Sequence, residues 1–228
     1  MKFVHQNIRG LEANFDHLQG FIELHKEIDI ISLSETHLRT DNDCKRLKLE
    51  GYKFLGNCRK NGAGGGVCIY IKENIVFKER SDFNKSSLEN LWIEISIKNA
   101  KPIIFGCCYR PPETSNYLPK EYDVFFNESV KEVINEKKEV IVMGDFNVDY
   151  HRKNCNKNFK DIMKVNCFKQ MIASSTRITE DTSTLIDLLF VNKPSNFPTA
   201  NVIATSLSDH EMIFCSRKIN THKHPEYA

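Results

Sequence analysis

The 228-residue chain suits one domain, or at most two, around a buried core, and its 40% hydrophobic and 27% charged residues are those of an ordinary soluble protein. A formal charge of only +2 excludes a nucleic-acid binder that works through bulk charge. Any basic groove must come from local pairs such as Lys45-Arg46, Arg59-Lys60 and Arg152-Lys153, whose ordinary reading is solvated surface. The eight cysteines include no Cys-x-x-Cys pair, which excludes a zinc ribbon and a thioredoxin-like motif. Cys68, Cys107 and Cys108 sit inside apolar runs, so free thiols in a reducing compartment are expected. No signal peptide or long apolar segment stands out, and no membrane association is expected.

Phe3-Val4 opens a short strand ending at Asn7. Leu11, Phe15, Leu18, Phe21, Ile22 and His25 then recur at helical spacing. Ile28 to Leu33 is a continuous apolar run, the mark of a strand covered on both faces, and Glu35 follows it at once. Gly62 to Gly66 reads as a loop and Val67 to Ile71 as a strand. Leu91, Ile93, Ile95 and Ile97 alternate with Trp92, Glu94, Ser96 and Lys98, which predicts a half-buried strand, with Trp92 packed between sheet and helix. Ile103 to Tyr109 is another apolar run, stopped by Pro111-Pro112.

An amphipathic helix is predicted over Tyr122 to Lys137, with Phe126, Val130, Val133 and Ile134 inward. Val140 to Met143 reads as a buried strand leading into Gly144. Phe159, Ile162, Met163 and Val165 mark a further helix. Leu185 to Val191 and Met212 to Cys215 close the set as strands, and residues 192–201, rich in Asn, Pro and Ser, read as a loop. His17 and His25 fall in the first helix as structural or exposed groups. A single domain over 1–219 is expected, followed by a disordered tail, 220–228, in which His222 and His224 are inert. Strands in succession with few helices favour packed sheets flanked by helices over a strictly alternating doubly wound fold.

Polar groups gather where the apolar runs end. Hydrolysis of a phosphodiester needs the phosphate neutralised, a water deprotonated and the leaving oxygen stabilised. Glu35, just past a buried strand, suits a ligand of a hard divalent cation. Asp145 and Asn147 are two apart, so on an extended backbone they share a face while Phe146 points into the core. Asp145 then accepts a proton from a water that Asn147 orients. Asp209 and His210 reach one site together only in a turn. His210 can give a hydrogen bond or a proton to phosphate, with Asp187 a candidate to orient it. Each string has a plainer reading: a helix cap, a turn, or a tyrosine at the rim of a core. Their ordered combination is the specific signal.

That combination carries a family resemblance. Gln6-Asn7-Ile8-Arg9-Gly10, Ser34-Glu35-Thr36-His37, Gly64-Gly65-Gly66-Val67, Tyr109-Arg110-Pro111-Pro112, Gly144-Asp145-Phe146-Asn147, Thr184-Leu185-Ile186-Asp187 and Ser208-Asp209-His210 run in order from residue 6 to 210. The chain resembles the endonuclease/exonuclease/phosphatase superfamily, which includes DNase I-like nucleases and AP endonucleases. More narrowly it resembles the endonuclease domain of non-LTR (LINE-type) retrotransposons, chiefly on Tyr-Arg-Pro-Pro and the glycine run.

The resemblance implies a four-layer α/β sandwich of two packed sheets flanked by helices. It implies that Asn7 and Glu35 hold Mg²⁺, for which Mn²⁺ can substitute, with Asp209 at the metal end and sometimes counted as a ligand. Tyr109 would contact the scissile phosphate, Asp145 aligned by Asn147 would serve the nucleophilic water, and His210, oriented by Asp187, would bind phosphate. Duplex DNA is the implied substrate, with Arg110, Arg177 and Thr184 as DNA contacts. Arg110 can equally brace the Pro-Pro turn. Arg177 can equally be a solvent-facing loop residue, because the hairpin that enters a DNA groove in the family is short here.

The expected activity is a nick that leaves a 3′-hydroxyl to prime reverse transcription. An AP endonuclease of DNA repair, a phosphatase on small or lipid phosphates, and a silent DNA- or protein-binding module are the alternatives. A downstream reverse transcriptase is the implied partner in a longer protein. Its Asp-Asp motif is absent, so an excised domain or a stand-alone relative is expected, monomeric and nuclear.

Overall fold

The continuous apolar runs become the central strands of two sheets. The computed structural model describes residues 1–218 except 41, 42, 44, 45, 60, 61 and 154. Lys45, Lys60 and the tail with His222 and His224 therefore lie outside the described residues. In chain order the strands are β1 (Lys2–Asn7), β2 (Ile30–Ser34), β3 (Tyr52–Asn57), β4 (Val67–Lys72), β5 (Phe77–Glu79), β6 (Glu89–Ile95), β7 (Ile103–Tyr109), β8 (Glu139–Asp145), β9 (Lys169–Gln170), β10 (Arg177–Ile178), β11 (Ser183–Thr184), β12 (Asp187–Val191), β13 (Thr199–Ile203) and β14 (Met212–Ser216). The helices are α1 (Leu11–Leu24), α2 (Tyr122–Asn135) and α3 (Lys157–Val165).

One six-stranded sheet has the order β13-β14-β1-β2-β4-β3 and the other β5-β6-β7-β8-β12-β9, while β10 and β11 form a separate ribbon. Both sheets are mixed: β1 runs parallel to β2 and β7 to β8, and the remaining pairs are antiparallel. The sheets pack face to face, with Phe3 of one stacked on Phe105 of the other at 5.4 Å between ring centroids. Leu11, Leu18 and Ile22 of α1 join Val4, Ile31 and Leu33 in a second core on the outer face of the first sheet. Phe126 of α2 and Phe159 of α3 close over Phe146 and Phe190 on the outer face of the second. The result is the expected four-layer sandwich. Both faces of the central strands are covered, which is why their sequences are apolar without alternation.

The differences from expectation follow from position in the sheets. Residues 192–201 are not all loop, since β13 begins at Thr199. It is an edge strand with half-exposed side chains, paired through its backbone, and so carries no apolar signature. The other edge strand, β3, is missed for the same reason. The strand expected from Leu185 starts at Asp187. Val165 is 77% exposed at the end of α3 rather than buried. Trp92, on the face of β6 opposite Leu91 and Ile93, is fully buried against Phe83 and lies over Gly106, where a Cβ would meet the ring at 2.4 Å. Cys68, Cys107 and Cys108 are buried in their strands as expected. Of the basic pairs, the Arg59 side chain is largely buried against Glu89, whereas Arg152 meets Asp149 at 3.2 Å and stays 70% exposed. No helix among the described residues is long and apolar enough to cross a membrane.

The registers also place the polar residues. Asn7 lies opposite Ser34 in one sheet. Across the other, Glu89, Tyr109, Asp145 and Asp187 stand in a row on four successive strands.

Candidate active site

The ends of β1, β2, β7, β8 and β12 meet at one edge of the sandwich. Asn7 sits at its centre: its Nδ2 donates to Asp145 Oδ2 at 2.8 Å and to Glu35 Oε1 at 3.0 Å, while its Oδ1 accepts the Arg9 amide at 3.2 Å. Tyr109 donates its hydroxyl to the same Glu35 oxygen at 3.0 Å. Burial, with Glu35 and Asp145 nearby, pushes the Tyr109 phenol well up, so it stays a donor. Glu35 and His37 both have left-handed backbones, φ 49° and 57°. Such conformations are costly outside glycine and cluster at functional sites. Here the loop is held by Gly10 N–H on the Glu35 carbonyl and by Thr36 and His37 N–H on the carbonyls of Gly66 and Gly65.

Asp145 and Asn147 share a side of the chain, but not by strand alternation. Asn147 is left-handed, φ 49°, and its amide N–H donates to Asp145 Oδ1 at 2.9 Å, closing a tight turn. Its Nδ2 donates to the Arg110 carbonyl at 2.9 Å and to Asp145 Oδ2 at 3.3 Å. Phe146 is driven into the core as expected. Asp145 is fully buried. Burial and the adjacent Asp187 push its carboxyl up to about 7, against the pull of His210, Asn147 and Asn7. That value suits a proton acceptor near neutrality.

His210 is buried, and its Nδ1 meets Asp187 Oδ2 at 2.8 Å. Burial alone would lower the imidazole. Asp187, then Asp145 and Asp209, outweigh it and raise it to about 9, so the ring is a cation and a donor at neutral pH. Behind Asp187 lies a second histidine that sequence reasoning missed. His5 Nε2 is 3.9 Å from Asp187 Oδ1. Ser32 gives its hydroxyl proton to Val4 and so accepts from His5 Nδ1–H, which leaves Nε2 to accept from Ser34. Burial holds His5 at about 4, despite Asp187 and with His210 adding to the fall, so it is neutral. Asp187 Oδ1 is left without a hydrogen-bond partner.

Thr176 and Gln6 were also missed as positioning groups. Thr176 Oγ1 accepts the amides of Ile186 and Asp187 at 3.2 and 3.0 Å. Gln6 Nε2 donates to the His210 carbonyl at 2.6 Å, and Ser208 Oγ donates to the Asn7 carbonyl at 2.6 Å, lashing the last loop to β1. Gln6 and Ser208 stand inside the recurring strings, and Thr176 directly precedes Arg177. No periodicity marks any of them.

The remaining expected residues surround this cluster. Asp209 is ion-paired to Arg9 Nε at 2.7 Å and Arg177 Nε at 3.0 Å, and its contacts are with these arginines rather than with Asn7 and Glu35. Although burial works against it, Arg177 and then His210 and Arg9 hold its carboxyl below the usual range. Arg177 and Thr184 are partners across the β10–β11 ribbon, and Arg177 also bridges to His210. Arg110 is buried, with its guanidinium over the Tyr122 ring at 5.4 Å and 3.5 Å from Glu113.

Asp145, Asp187 and His210 present ligand atoms within 4.8 Å of one another. A protonated imidazole bound to Asp187 is a donor and not a metal ligand. The Glu35 and Asp145 carboxylates, which converge on the Asn7 Nδ2, are the oxygen donors suited to a hard divalent cation, and the Asn7 amide joins them only by turning its Oδ1 from the Arg9 amide toward the ion. The fully buried Asp145 carboxylate, with no ion pair among the described residues to answer its charge, fits such an ion.

A profile of the "Endonuclease/Exonuclease/phosphatase family" matches residues 4–210. Comparison with curated proteins found no match. Among solved structures, the AP endonuclease of Leishmania major superposes with a TM-score of 0.77 at 16% identity, over 95% of this chain and 87% of that one. The endonuclease domain of TRAS1, a telomere-specific non-LTR retrotransposon, gives 0.70 at 12% identity over 96% and 99%. A 3′ phosphatase from Neisseria bound to a product DNA hairpin gives 0.73 at 13% identity over 96% and 99%. Likenesses this distant in sequence establish the shared fold.

Proposed function

The chain belongs to the endonuclease/exonuclease/phosphatase family, and within it we propose a divalent-cation-dependent DNA endonuclease that nicks one strand of a duplex and leaves a 3′-hydroxyl. Members of the family are hydrolases of phosphodiesters or phosphate esters. One observation carries the reading. A proton acceptor, Asp145, and a cationic donor, His210, stand within 4.8 Å of each other, beside a carboxylate–amide pair suited to a cation. Acid, base and charge neutralisation are thereby separated onto different groups around the space of one phosphate.

Glu35 and Asn7 would hold Mg²⁺, with Mn²⁺ as a substitute. When bound, the cation neutralises the phosphate and the leaving oxygen. The chain supplies the rest. The Tyr109 hydroxyl and the His210 imidazolium donate to non-bridging phosphate oxygens, Asp187 keeps His210 charged and aligned, and Asp145 takes a proton from the attacking water while Asn147 fixes its carboxylate. The water oxygen bonds to phosphorus as the P–O bond to the 3′ oxygen breaks, which leaves a 5′-phosphate, and the departing 3′ alkoxide takes a proton from solvent water to become the hydroxyl.

Priming of target-site reverse transcription by a non-LTR retrotransposon is the role proposed for the nick. The Tyr109–Pro112 and glycine strings support it, as does the fold shared with the TRAS1 domain. On this reading the chain acts in the nucleus as a monomeric unit ahead of a reverse transcriptase. Nicking of supercoiled plasmid in Mg²⁺, abolished by EDTA and by Asp145→Ala or His210→Ala, is the expected result. Variants as active as the parent would overturn the site. Nick mapping on a long duplex, beside an abasic one, separates the roles: strong preference for the abasic site marks repair, and retention of DNA without cleavage marks a binding module.

A further inference from the structure

Beyond the catalytic cluster, a cavity of about 510 Å³ opens between the end of β3, residues 84–89 and Tyr117 in the loop after β7. Its lining includes the Tyr117 ring, 46% exposed and yet fixed. The Arg59 guanidinium lies 4.4 Å from the Tyr117 ring centroid, and the Tyr117 hydroxyl accepts the Ala63 amide at 3.3 Å. Gly62, with φ 97°, presses so close that a Cβ there would meet the ring at 2.3 Å. Arg59 is itself anchored, through Nε and Nη2 to Glu89 Oε1 at 2.9 and 2.6 Å and through Nη1 to the Ala63 carbonyl at 2.7 Å. An exposed aromatic held this firmly is a preformed stacking surface.

The cavity adjoins the active site through shared residues. Glu89 lies opposite Tyr109 in the β6–β7 pairing, and the Arg59 guanidinium is 6.0 Å from the Tyr109 ring. The Gly66 amide donates to Glu89, and the Gly65 and Gly66 carbonyls accept the amides of the Glu35 loop. Both described cations on its wall are already paired, Arg59 with Glu89 and Lys85 with Glu132 at 2.6 Å. The cavity therefore suits a neutral planar group with its own donors and acceptors. Asn84, Ser86 and Ser87 line the cavity with amide and hydroxyl functions.

We propose that this cavity is a subsite for one unstacked nucleotide of the strand being cut, its base lying on Tyr117 and its polar edge reaching Asn84, Ser86 and Ser87. The inference rests on the DNA endonuclease reading and adds a determinant of where nicks fall. A base that must leave the duplex stack to enter is admitted most readily where it is already unpaired, because the unpairing cost is absent.

The test uses the full chain with Mg²⁺ and a set of duplexes that share one mapped nick site and carry a single unpaired base at successive offsets from it. The parent is expected to nick one offset about 10-fold faster than the paired duplex, the size of one base–aromatic stack. Tyr117→Ala removes the platform and Ser87→Trp fills the cavity from its exposed rim. Each variant, shown to be folded by circular dichroism, is expected to nick that duplex and the paired one at equal rates. A parent with no preferred offset, or variants that keep the preference, overturns the subsite alone. A parent that nicks no duplex removes the endonuclease reading and the subsite with it.

Discussion

Two clusters of charge lie at different places on the second sheet, and they are built in opposite ways. Around Arg80 every charge is answered. Its guanidinium reaches Asp82, Glu94 and Glu136 at 2.7 Å each, and Lys138 meets Glu94 and Glu136 at 3.0 and 2.8 Å. Arg80 holds the Asp82 and Glu136 carboxyls below their usual range, and for Glu94 Lys138 and Arg80 overcome the opposing effect of burial. At the catalytic edge, Asp145 is pushed up by burial and by Asp187, and one Asp187 oxygen has no partner. Structural ion pairs lower the energy of their own charges. The catalytic cluster keeps its charges in poor surroundings, and cation and phosphate are what would improve them.

The largest expected effect breaks the catalytic half of this contrast. Asp145→Asn and Glu35→Gln should each lower nicking by at least ~10³-fold, the scale of losing a catalytic base or the charge that neutralises phosphate. Asp145→Asn should also raise the melting temperature in EDTA. The folded carboxyl sits near 7 against an ordinary value of 3.8, so its ionisation opposes folding above 3.8, and fully so above about 7. The gain should therefore appear at alkaline pH and vanish below 3.8. A variant that melts lower than the parent at alkaline pH would place Asp145 among the structural charges instead.

Asp187→Asn comes next, at a loss of about 10²-fold at neutral pH, within the range of a general acid–base contribution. Its signature is the pH profile. His210 is raised to about 9, so activity that needs the imidazolium holds to that point and falls above it. With Asp187 neutralised, the alkaline limb should move down toward the ordinary imidazole value of 6.5. An unmoved limb would show that another group sets it.

Arg80→Met tests the other cluster and should reverse the pattern. Per folded molecule, nicking should stay within about two-fold, as the substitution touches no catalytic group. Stability should fall by about 2–3 kcal/mol, near 5–10 °C in melting temperature, discounted from a fully buried pair because Asp82 and Glu136 are partly exposed. The three carboxyls are depressed in the folded state, so their contribution is present above the ordinary value and lost as pH falls through the folded one. The gap between parent and variant should therefore close in acid.

How much of this was legible in the sequence differed by the kind of force involved. Ile103 to Tyr109 and Val140 to Met143 announced themselves because strands covered on both faces cannot afford polar residues. β3 and β13 did not, because an edge strand is held by backbone pairing and tolerates almost any side chain. In the site, Glu35 and Asp145 were readable because each ends an apolar run, and His210 because it stands just before one. The Asp145–Asn147 relation was reached by the wrong geometry, since alternation was assumed where a left-handed Asn147 closes a turn. Thr176, Gln6 and His5 act through hydrogen bonds to residues on other strands and loops, and no local pattern encodes such contacts.

Asp209 gives the smallest and most discriminating effect. The family resemblance implies a place at the metal end, whereas its carboxylate lies between Arg9 and Arg177, whose side chains remain 44% and 35% exposed. Two partly exposed guanidiniums fixed on one carboxylate beside His210 form a two-pronged cation that can meet phosphates flanking the one being cut. Asp209→Asn leaves both arginines in place but frees their orientation. The expected result is a rise in KM for DNA of about three- to ten-fold, with kcat nearly unchanged, as for loss of uniform binding. The Mg²⁺ concentration for half-maximal rate should not move, because the groups that suit the cation are Glu35 and Asn7. Titrating Mg²⁺ against parent and variant at saturating DNA decides between the two roles. A several-fold shift in Mg²⁺ requirement with an unchanged KM would return Asp209 to the metal, and would mean that the Arg9–Asp209–Arg177 tie opens when the ion binds.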